Sequence, residues 1–336
     1  VYSAKIASRH FDLAMNLLAD MVRFPRFDPA EIEKERRVII EELNMYRDSP
    51  QDWVSVIGEE AFWPNLPLGR EVAGTRETVG ALSAETMRCY RASHYVPSNL
   101  VIAVVGDTEH EQVIESVNRL LGDWPAGVAP LWTPSAPPLD APRVRLETRR
   151  TEQTNLCIYM PGLSRKDPDY YALGLLNVVL GDGMSSRLFL TVREQQGLAY
   201  DVSSGPLHYH DTGAFVVYAG VEPKRAQAAV RAILAELARM RAEPVRPDEL
   251  SRAKEYTKGR IVLSLEDTHS VAYWLAGSEA MLGEVLDLDD VLGRFDAVTS
   301  DDIQRLAQSL FADEWLRLAA IGPNRSSLTF ERALHL

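Results

Sequence analysis

The feature that most constrains this chain is that it repeats itself. Val1-Tyr2-Ser3 returns as Val217-Tyr218-Ala219, an offset of 216 positions. The same offset carries Leu17, Leu18, Met21 and Phe24 onto Ile233, Leu234, Leu237 and Met240. It carries Leu82-Ser83-Ala84-Glu85 onto Val298-Thr299-Ser300-Asp301, and Leu100–Gly106 (LVIAVVG) onto Leu316–Gly322 (LRLAAIG). Between these anchors Asp28-Pro29-Ala30-Glu31-Ile32 meets Arg246-Pro247-Asp248-Glu249-Leu250 at 218, so one copy holds a small insertion. A register kept at both ends over about 100 residues marks a duplicated unit and commits the fold to two related bodies.

The second copy begins near Arg143 and runs about 73 residues before reaching Val217, whereas the first opens at the equivalent of Val217. That stretch holds a strand signal, Gln153 to Met160 (QTNLCIYM), and a buried-helix signal, Tyr170 to Leu180 (YYALGLLNVVL). The expectation is a first unit without a block of about 75 residues, with an uncovered sheet edge or apolar face where that block would pack. The opening Val-Tyr-Ser-Ala, without an initiator Met, fits a chain cut from something longer.

Thr133–Arg143 (TPSAPPLDAPR), with four prolines, suits an extended spacer. The expected organisation is an N-terminal unit over 1–132, a linker over 133–143 and a homologous C-terminal unit over 144–336. Strand signals at Asn155–Met160, Ala214–Tyr218 and Leu100–Val105 alternate with amphipathic helices at Asp28–Tyr46 and Pro247–Leu265. Ser83 and Thr299 stand where helix caps belong. The fold class is α+β, each unit a mainly antiparallel sheet with helices packed on one face.

Composition excludes several functions. The net charge of −12 argues against a general nucleic-acid binder. No apolar run approaches the roughly 18 residues of a membrane span. Two cysteines, Cys89 and Cys157, make no disulfide framework, and a reducing, cytoplasmic compartment fits them. The chain has no G-x-S-x-G elbow and no C-x-x-C pair.

Two segments carry candidate chemistry. In EIEKERRVIIEELNMY (Glu31 to Tyr46), Ile32, Ile39, Leu43 and Tyr46 form an apolar helical face. Glu35 and Glu42 lie two turns apart beside it. A carboxylate at the edge of a core needs a cation, a metal or donor groups. The competing reading is a solvated acidic helix with pairs to Arg36 and Arg37. In GDGMSSRLFLTVREQQGLAYDVSS (Gly181 to Ser204), Arg193 precedes a helix stop at Gly197 and Tyr200 follows it. Such a pair can donate hydrogen bonds to a carbonyl or oxyanion. The competing reading is an ordinary helix-turn-strand with Arg193 in a salt bridge.

The other motifs are weaker. GDGMSS lacks the third glycine and the preceding strand of a phosphate loop. His208 and His210, with Asp211 adjacent, stand as a metal pair or as an exposed loop pair, and His110-Glu111 lacks the second His of a zinc helix. Trp63, Trp132 and Trp274 read as packing residues.

FDPAEIEKERRVIIEELNMYRDSP, PLGREVAGTRETV, YVPSNLVIAVVGD and REQQGLAYDVSS together resemble the insulinase/pitrilysin family of zinc metallopeptidases, in its short bacterial and mitochondrial-processing-peptidase-like branch. The resemblance runs to about Gly322. It implies zinc held by an H-x-x-E-H helix, with Glu42 matching the third ligand and Glu35 the supporting glutamate. It also implies that Arg193 and Tyr200 hold the substrate backbone across a chamber. The chain contains no H-x-x-E-H. Family spacing places that motif about 34 residues before Val1, within the block the duplication marks as absent. Leu66 also departs from the His often found before Pro67. At offset 218, Glu42 meets Arg260, so the second unit is expected to bind substrate and no metal.

The resemblance thus implies a zinc metalloendopeptidase acting on peptides or unfolded segments, with this chain inactive alone and a homodimer or paralogous subunit as partner. The alternative is a non-catalytic subunit contributing substrate-binding surface to a peptidase complex.

Overall fold

The computed structural model describes residues 1–138 and 141–336. Leu139 and Asp140, inside the expected linker, lie outside the described residues. From the N-terminus run α1 (Phe11–Arg23), α2 (Pro29–Asp48), α3 (Pro50–Phe62), α4 (Arg76–Ala81), α5 (Ala84–His94) and α6 (His110–Leu121). Then come β1 (Val144–Thr148), β2 (Thr154–Pro161), α7 (Tyr170–Leu180), β3 (Ala199–His208) and β4 (Gly213–Val221). The chain ends with α8 (Ala226–Ala242), α9 (Pro247–Ser264), α10 (Thr268–Leu282), α11 (Leu288–Ala297), α12 (Ser300–Leu310), β5 (Arg317–Gly322) and α13 (Ser327–Glu331).

The duplication is written into this order. The helices α1 to α5 recur as α8 to α12, with α2 and α3 starting 218 positions before α9 and α10, and α5 216 before α12. The cap repeats as well. Ser83 accepts a hydrogen bond from the Thr86 amide at the start of α5, and Thr299 from the Asp302 amide at the start of α12.

Two compact units result, and neither is one continuous stretch. One comprises Val1–Glu41, Thr75–Trp132 and Ile261–Leu286; the other comprises Glu42–Gly74, Thr133–Arg260 and Asp287–Leu336. The second is built on a five-stranded sheet in the order β1-β5-β2-β4-β3, parallel between β1 and β5 and antiparallel elsewhere. Helices cover both of its faces, not one. Phe215 and Phe311 meet on the side of α12, with ring centroids 5.4 Å apart. On the other side α3 packs on Cys157, Tyr159, Ala319 and Ile321 through Val54, Ile57, Phe62 and Trp63. All residues of β2 from Thr154 to Met160 are buried, which a strand achieves only when both faces are covered. Gly58 permits the close approach of α3, since a Cβ there would lie 2.3 Å from the Tyr159 ring.

The first unit contains no strand among the described residues. Leu100–Val105, expected as a strand, is unpaired. The reason is ladder chemistry: its counterpart β5 lies between β1 and β2, and both belong to the stretch the first copy does not repeat. A strand without a hydrogen-bonded neighbour is only extended chain. The expected uncovered face is also present. Ile233, Leu237 and Met240 of α8 are fully buried, whereas their α1 counterparts Leu17, Met21 and Phe24 are 54%, 45% and 61% exposed.

Candidate functional site

Arg193 and Tyr200 are brought together within the second unit. Residues Phe189–Gln195 wind as a π-helix, a form that concentrates at functional sites. It closes with Gln196 N donating to Thr191 O and Leu198 N to Val192 O. Gly197, at φ +56°, then stops it in a conformation that favours glycine. Buried Leu188 and Val192 anchor the helix, and Ala199 and Val202 anchor the strand that follows.

A register break in β3 falls between Ala199 and Asp201, so Tyr200 is the extra residue of a β-bulge. The bulge turns Tyr200 and Asp201 outward between two inward residues, leaving Tyr200 77% exposed. The Arg193 guanidinium stands 5.6 Å from the Tyr200 ring centroid and 4.7 Å from that of Phe189. The ordinary salt bridge that was the competing expectation is reduced to a loose 3.8 Å contact with Glu194. A planar N–H fork and a phenol hydroxyl therefore sit side by side on a packed base, both open to a carbonyl acceptor.

The acidic candidates sit differently. Glu35 and Glu42 fall on α2, and both are exposed, not held at a core edge as their spacing suggested. The helical pairs to Arg36 and Arg37 that the competing reading expects do form, with Glu33 as the acid. Arg36 and Arg37 both turn to Glu33, and Arg36 also donates to the carbonyls of Val79 and Leu82. At the equivalent positions of α9 stand Ala253, which is buried, and Arg260, whose Nη1 lies 2.8 Å from Asp182 Oδ2. Glu249, the counterpart of Glu31, holds Arg187 through two hydrogen bonds of 2.9 and 2.8 Å. So α9 lines the turn that follows α7, and α2 carries its acids on the matching face.

No three His, Cys, Asp or Glu side chains cluster as a metal would need among the described residues. Catalytic zinc takes three protein ligands, so Glu42 with Glu35 does not by itself fit the ion. His208 is a structural residue: its Nδ1 lies 2.7 Å from Leu163 O, its ring faces Tyr170, and burial pushes its pKa down. β3 ends at His208, so His210 shares no strand face with it. Trp63 is fully buried packing; Trp132 is half exposed. Asp182 of the GDG turn is engaged by Arg260. Cys89 and Cys157 are free, and burial pushes the Cys157 thiol up to about 12.

One feature escaped the sequence reading: a groove beside α3 with Glu59 in its wall. The available signal was the composition of α3, PQDWVSVIGEEAF, which carries acids and no Lys or Arg.

Comparison with known proteins gives the family and the fold. The model for insulinase, peptidase family M16, matches residues 1–76, and that for the peptidase M16 inactive domain matches residues 81–257. The chain is 36% identical over 328 residues to an uncharacterized zinc protease of Streptomyces coelicolor, covering 96% of this chain and 71% of that protein. It is 35% identical over 327 residues to the uncharacterized zinc protease YmxG of Bacillus subtilis, covering 96% and 78%. A protease from Helicobacter pylori shares the fold with a TM-score of 0.88 at 21% identity, over 94% of this chain and 77% of that one. A chain of complex III from Candida albicans does so with a TM-score of 0.86 at 17% identity, over 98% and 82%. With relatives at this identity and coverage, the chain belongs to the insulinase family, peptidase M16, in its short bacterial branch.

Proposed function

We propose that this chain forms part of a zinc-dependent metalloendopeptidase that hydrolyses peptides or unfolded segments. The observation that carries the reading is the Arg193–Tyr200 pair, a half-buried guanidinium and an exposed phenol set by a π-turn and a bulge on a buried base. Packing alone does not call for either device. In this reading Arg193 and Tyr200 hold the substrate backbone, Glu42 supplies one metal ligand and Glu35 steadies it. The homologous units over 1–132 and 144–336 are the metal-bearing and the substrate-binding halves. The two His and the further Glu of H-x-x-E-H come from outside residues 1–336, so these residues alone hydrolyse no peptide. A homodimer or a paralogous subunit completes the assembly. The two free cysteines support a reducing, cytoplasmic compartment in this reading. No helix among the described residues is long and apolar enough to cross a membrane.

The test uses a preparation in which an H-x-x-E-H segment is supplied on the same chain or on a partner. Tyr200→Phe should lower kcat about 10²-fold and leave zinc content unchanged, as expected of a lost oxyanion donor. Normal turnover on several peptides removes Tyr200 from the reaction.

The lack of a three-donor cluster among the described residues favours a second reading, a non-catalytic subunit lending substrate-binding surface. The two separate by complementation. A catalytic chain gains activity when its own N-terminal unit receives the motif; a binding subunit gains it only when mixed with an intact, motif-bearing family member.

A further inference from the structure

Between the two donors of the candidate site runs an exposed turn. Glu194, Gln195, Gln196 and Gly197 all face solvent, and a Cβ on Gly197 would meet nothing within 4 Å among the described residues. Gly197 holds φ at +56°, a conformation that glycine adopts and leaves at little cost. The spacing of Arg193 and Tyr200 therefore hangs on one loosely held backbone position. The amides of the turn are bonded inward, Gly197 N to Arg193 O at 3.0 Å and Leu198 N to Val192 O at 2.9 Å. The carbonyls of Gln196 and Gly197 lie beyond the last helical turn, where no helical amide is left to reach them.

Arg225 answers both carbonyls. Its Nη1 donates to Gly197 O at 2.7 Å and its Nη2 to Gln196 O at 3.2 Å, so one planar fork spans two successive acceptors. A guanidinium at a helix C-terminus also meets the negative end of the helix dipole. The sheet brings the two segments together. Val221, the last residue of β4, pairs with Ala199, so the chain leaving β4 stands beside the turn that enters β3. Pro223 opens the short 3-10 turn Pro223–Arg225, and buried Ala226 anchors the start of α8. Asn324 donates to Pro223 O at 3.2 Å and accepts from the buried Thr154 hydroxyl at 2.6 Å. The backbone of Arg225 is thus seated by β4, by α8 and by the loop after β5, while its side chain closes on the turn. Both of its bonds are open to water and add little to overall stability. What they remove is the freedom of Gly197, and donors fixed before a ligand arrives lose less on binding it.

We propose that Arg225 is a positioning residue: by holding the Gln196 and Gly197 carbonyls it fixes the glycine turn, and with it the spacing of Arg193 and Tyr200 against an extended peptide backbone. The assignment rests on the reading of that pair as the substrate-holding groups.

The probe is Nα-acetyl-tetraalanine amide, which offers backbone carbonyls and no functional side chain, titrated into the chain with NMR as the readout. It should saturate. Arg225→Gln should weaken it at least about fivefold and speed amide exchange at Gly197 and Leu198 at least about tenfold. Resonances outside the turn and its flanking helix and strand should keep their places, which certifies folding. Arg225→Lys keeps the charge and loses the fork, so its affinity should fall between the two. Lys224→Gln, on an exposed neighbour, should change nothing. Coupling is the deciding readout. A variant carrying both Arg193→Gln and Tyr200→Phe should bind at least about tenfold more weakly. Adding Arg225→Gln to it should weaken binding by less than about twofold, because a residue that acts through the pair has nothing left to act on. Losses that multiply independently make Arg225 a binding group in its own right and overturn the proposal. Unchanged exchange in Arg225→Gln, or full affinity in Arg225→Lys, overturns it too. Full binding in Arg225→Gln beside lost binding in the pair variant removes the proposal and leaves the pair standing. Undiminished binding in the pair variant, or no saturable binding by the wild type, removes the substrate-holding reading and the proposal with it.

Discussion

Leu17 and Ile233 occupy the same place in the duplicated helix and differ chiefly in cover, so truncating each to alanine measures that cover directly. Ile233 is fully buried. Its truncation loses the transfer energy of the deleted carbons and leaves a cavity, together about 2–5 kcal/mol. Leu17 is 54% exposed. Less than half of the roughly 1.5–3 kcal/mol available from burying such a side chain is therefore at stake. No enclosed cavity forms at an open site, and alanine returns a few tenths of a kcal/mol in helix propensity. Leu17→Ala should thus cost below about 1 kcal/mol, at least about 1 kcal/mol less than Ile233→Ala. Urea unfolding followed by far-UV circular dichroism and tryptophan fluorescence decides it. Trp63, fully buried among the groups packed on the sheet, reports the second unit. If the units melt separately, each transition is fitted on its own. Equal costs within about 0.5 kcal/mol would refute the argument, since α1 would then be as covered in solution as α8.

Two further substitutions probe how the second unit is held together. Gly58→Ala should destabilise it by about 1–3 kcal/mol, because overlap with the buried Tyr159 ring outweighs the roughly 1 kcal/mol that alanine adds to a helix; a rise in the urea midpoint contradicts this. Arg305→Met should cost roughly 0.5–1 kcal/mol at pH 7. The hydrogen bond from Arg305 lowers the Asp169 pKa, so its contribution is present above the ordinary carboxylate range and lost as pH falls through the folded value. Wild type and variant should converge at pH 2, and a gap that persists there removes this ion pair as its source.

Much of the fold can be read from the chain because its signals are periodic. The amphipathic spacing of Asp28–Tyr46 and Pro247–Leu265 becomes α2 and α9, and the apolar run of Tyr170 to Leu180 becomes the buried α7. The Ser83 and Thr299 caps form as their positions imply. Pairing and cover are different, because they depend on what lies opposite. LVIAVVG has the composition of a strand and no partner to make it one. TNLCIYM reads as one half-covered strand among others, although its unbroken apolar run is what burial by α3 on one face and by α12's side on the other requires. The site divides in the same way. Arg193 and Tyr200 stand out as residue types at a helix stop, but the π-turn and bulge that align them arise from hydrogen bonds no spacing rule encodes. Glu59 gave only a faint signal, a helix with acids and no bases.

The second unit supplies a template for what α2 does with its acids. Position 260 carries an arginine where α2 has Glu42, and that arginine reaches Asp182, two residues past the end of α7. Eleven residues earlier Glu249 reaches Arg187 beyond the same turn. By the duplication, the matching face of α2 addresses the end of whichever helix stands in the place of α7, and Glu42 is the position nearest that end. On this template the counterpart of α7 would cover Glu42, and its exposure here is what the template expects of α2 without that cover. Supplying an H-x-x-E-H helix should therefore bury Glu42, and Glu42→Gln should then nearly abolish stoichiometric zinc, because a neutral amide is a poor ligand for a divalent cation although its shape is unchanged. Glu35→Gln, one step behind the ligand, should cost about 10- to 100-fold in affinity or activity and retain metal at saturation. Metal analysis of the two purified variants decides the assignment. Loss of zinc in Glu35→Gln with full retention in Glu42→Gln exchanges the two roles. Full retention in both makes α2 a solvated acidic helix and removes the template argument.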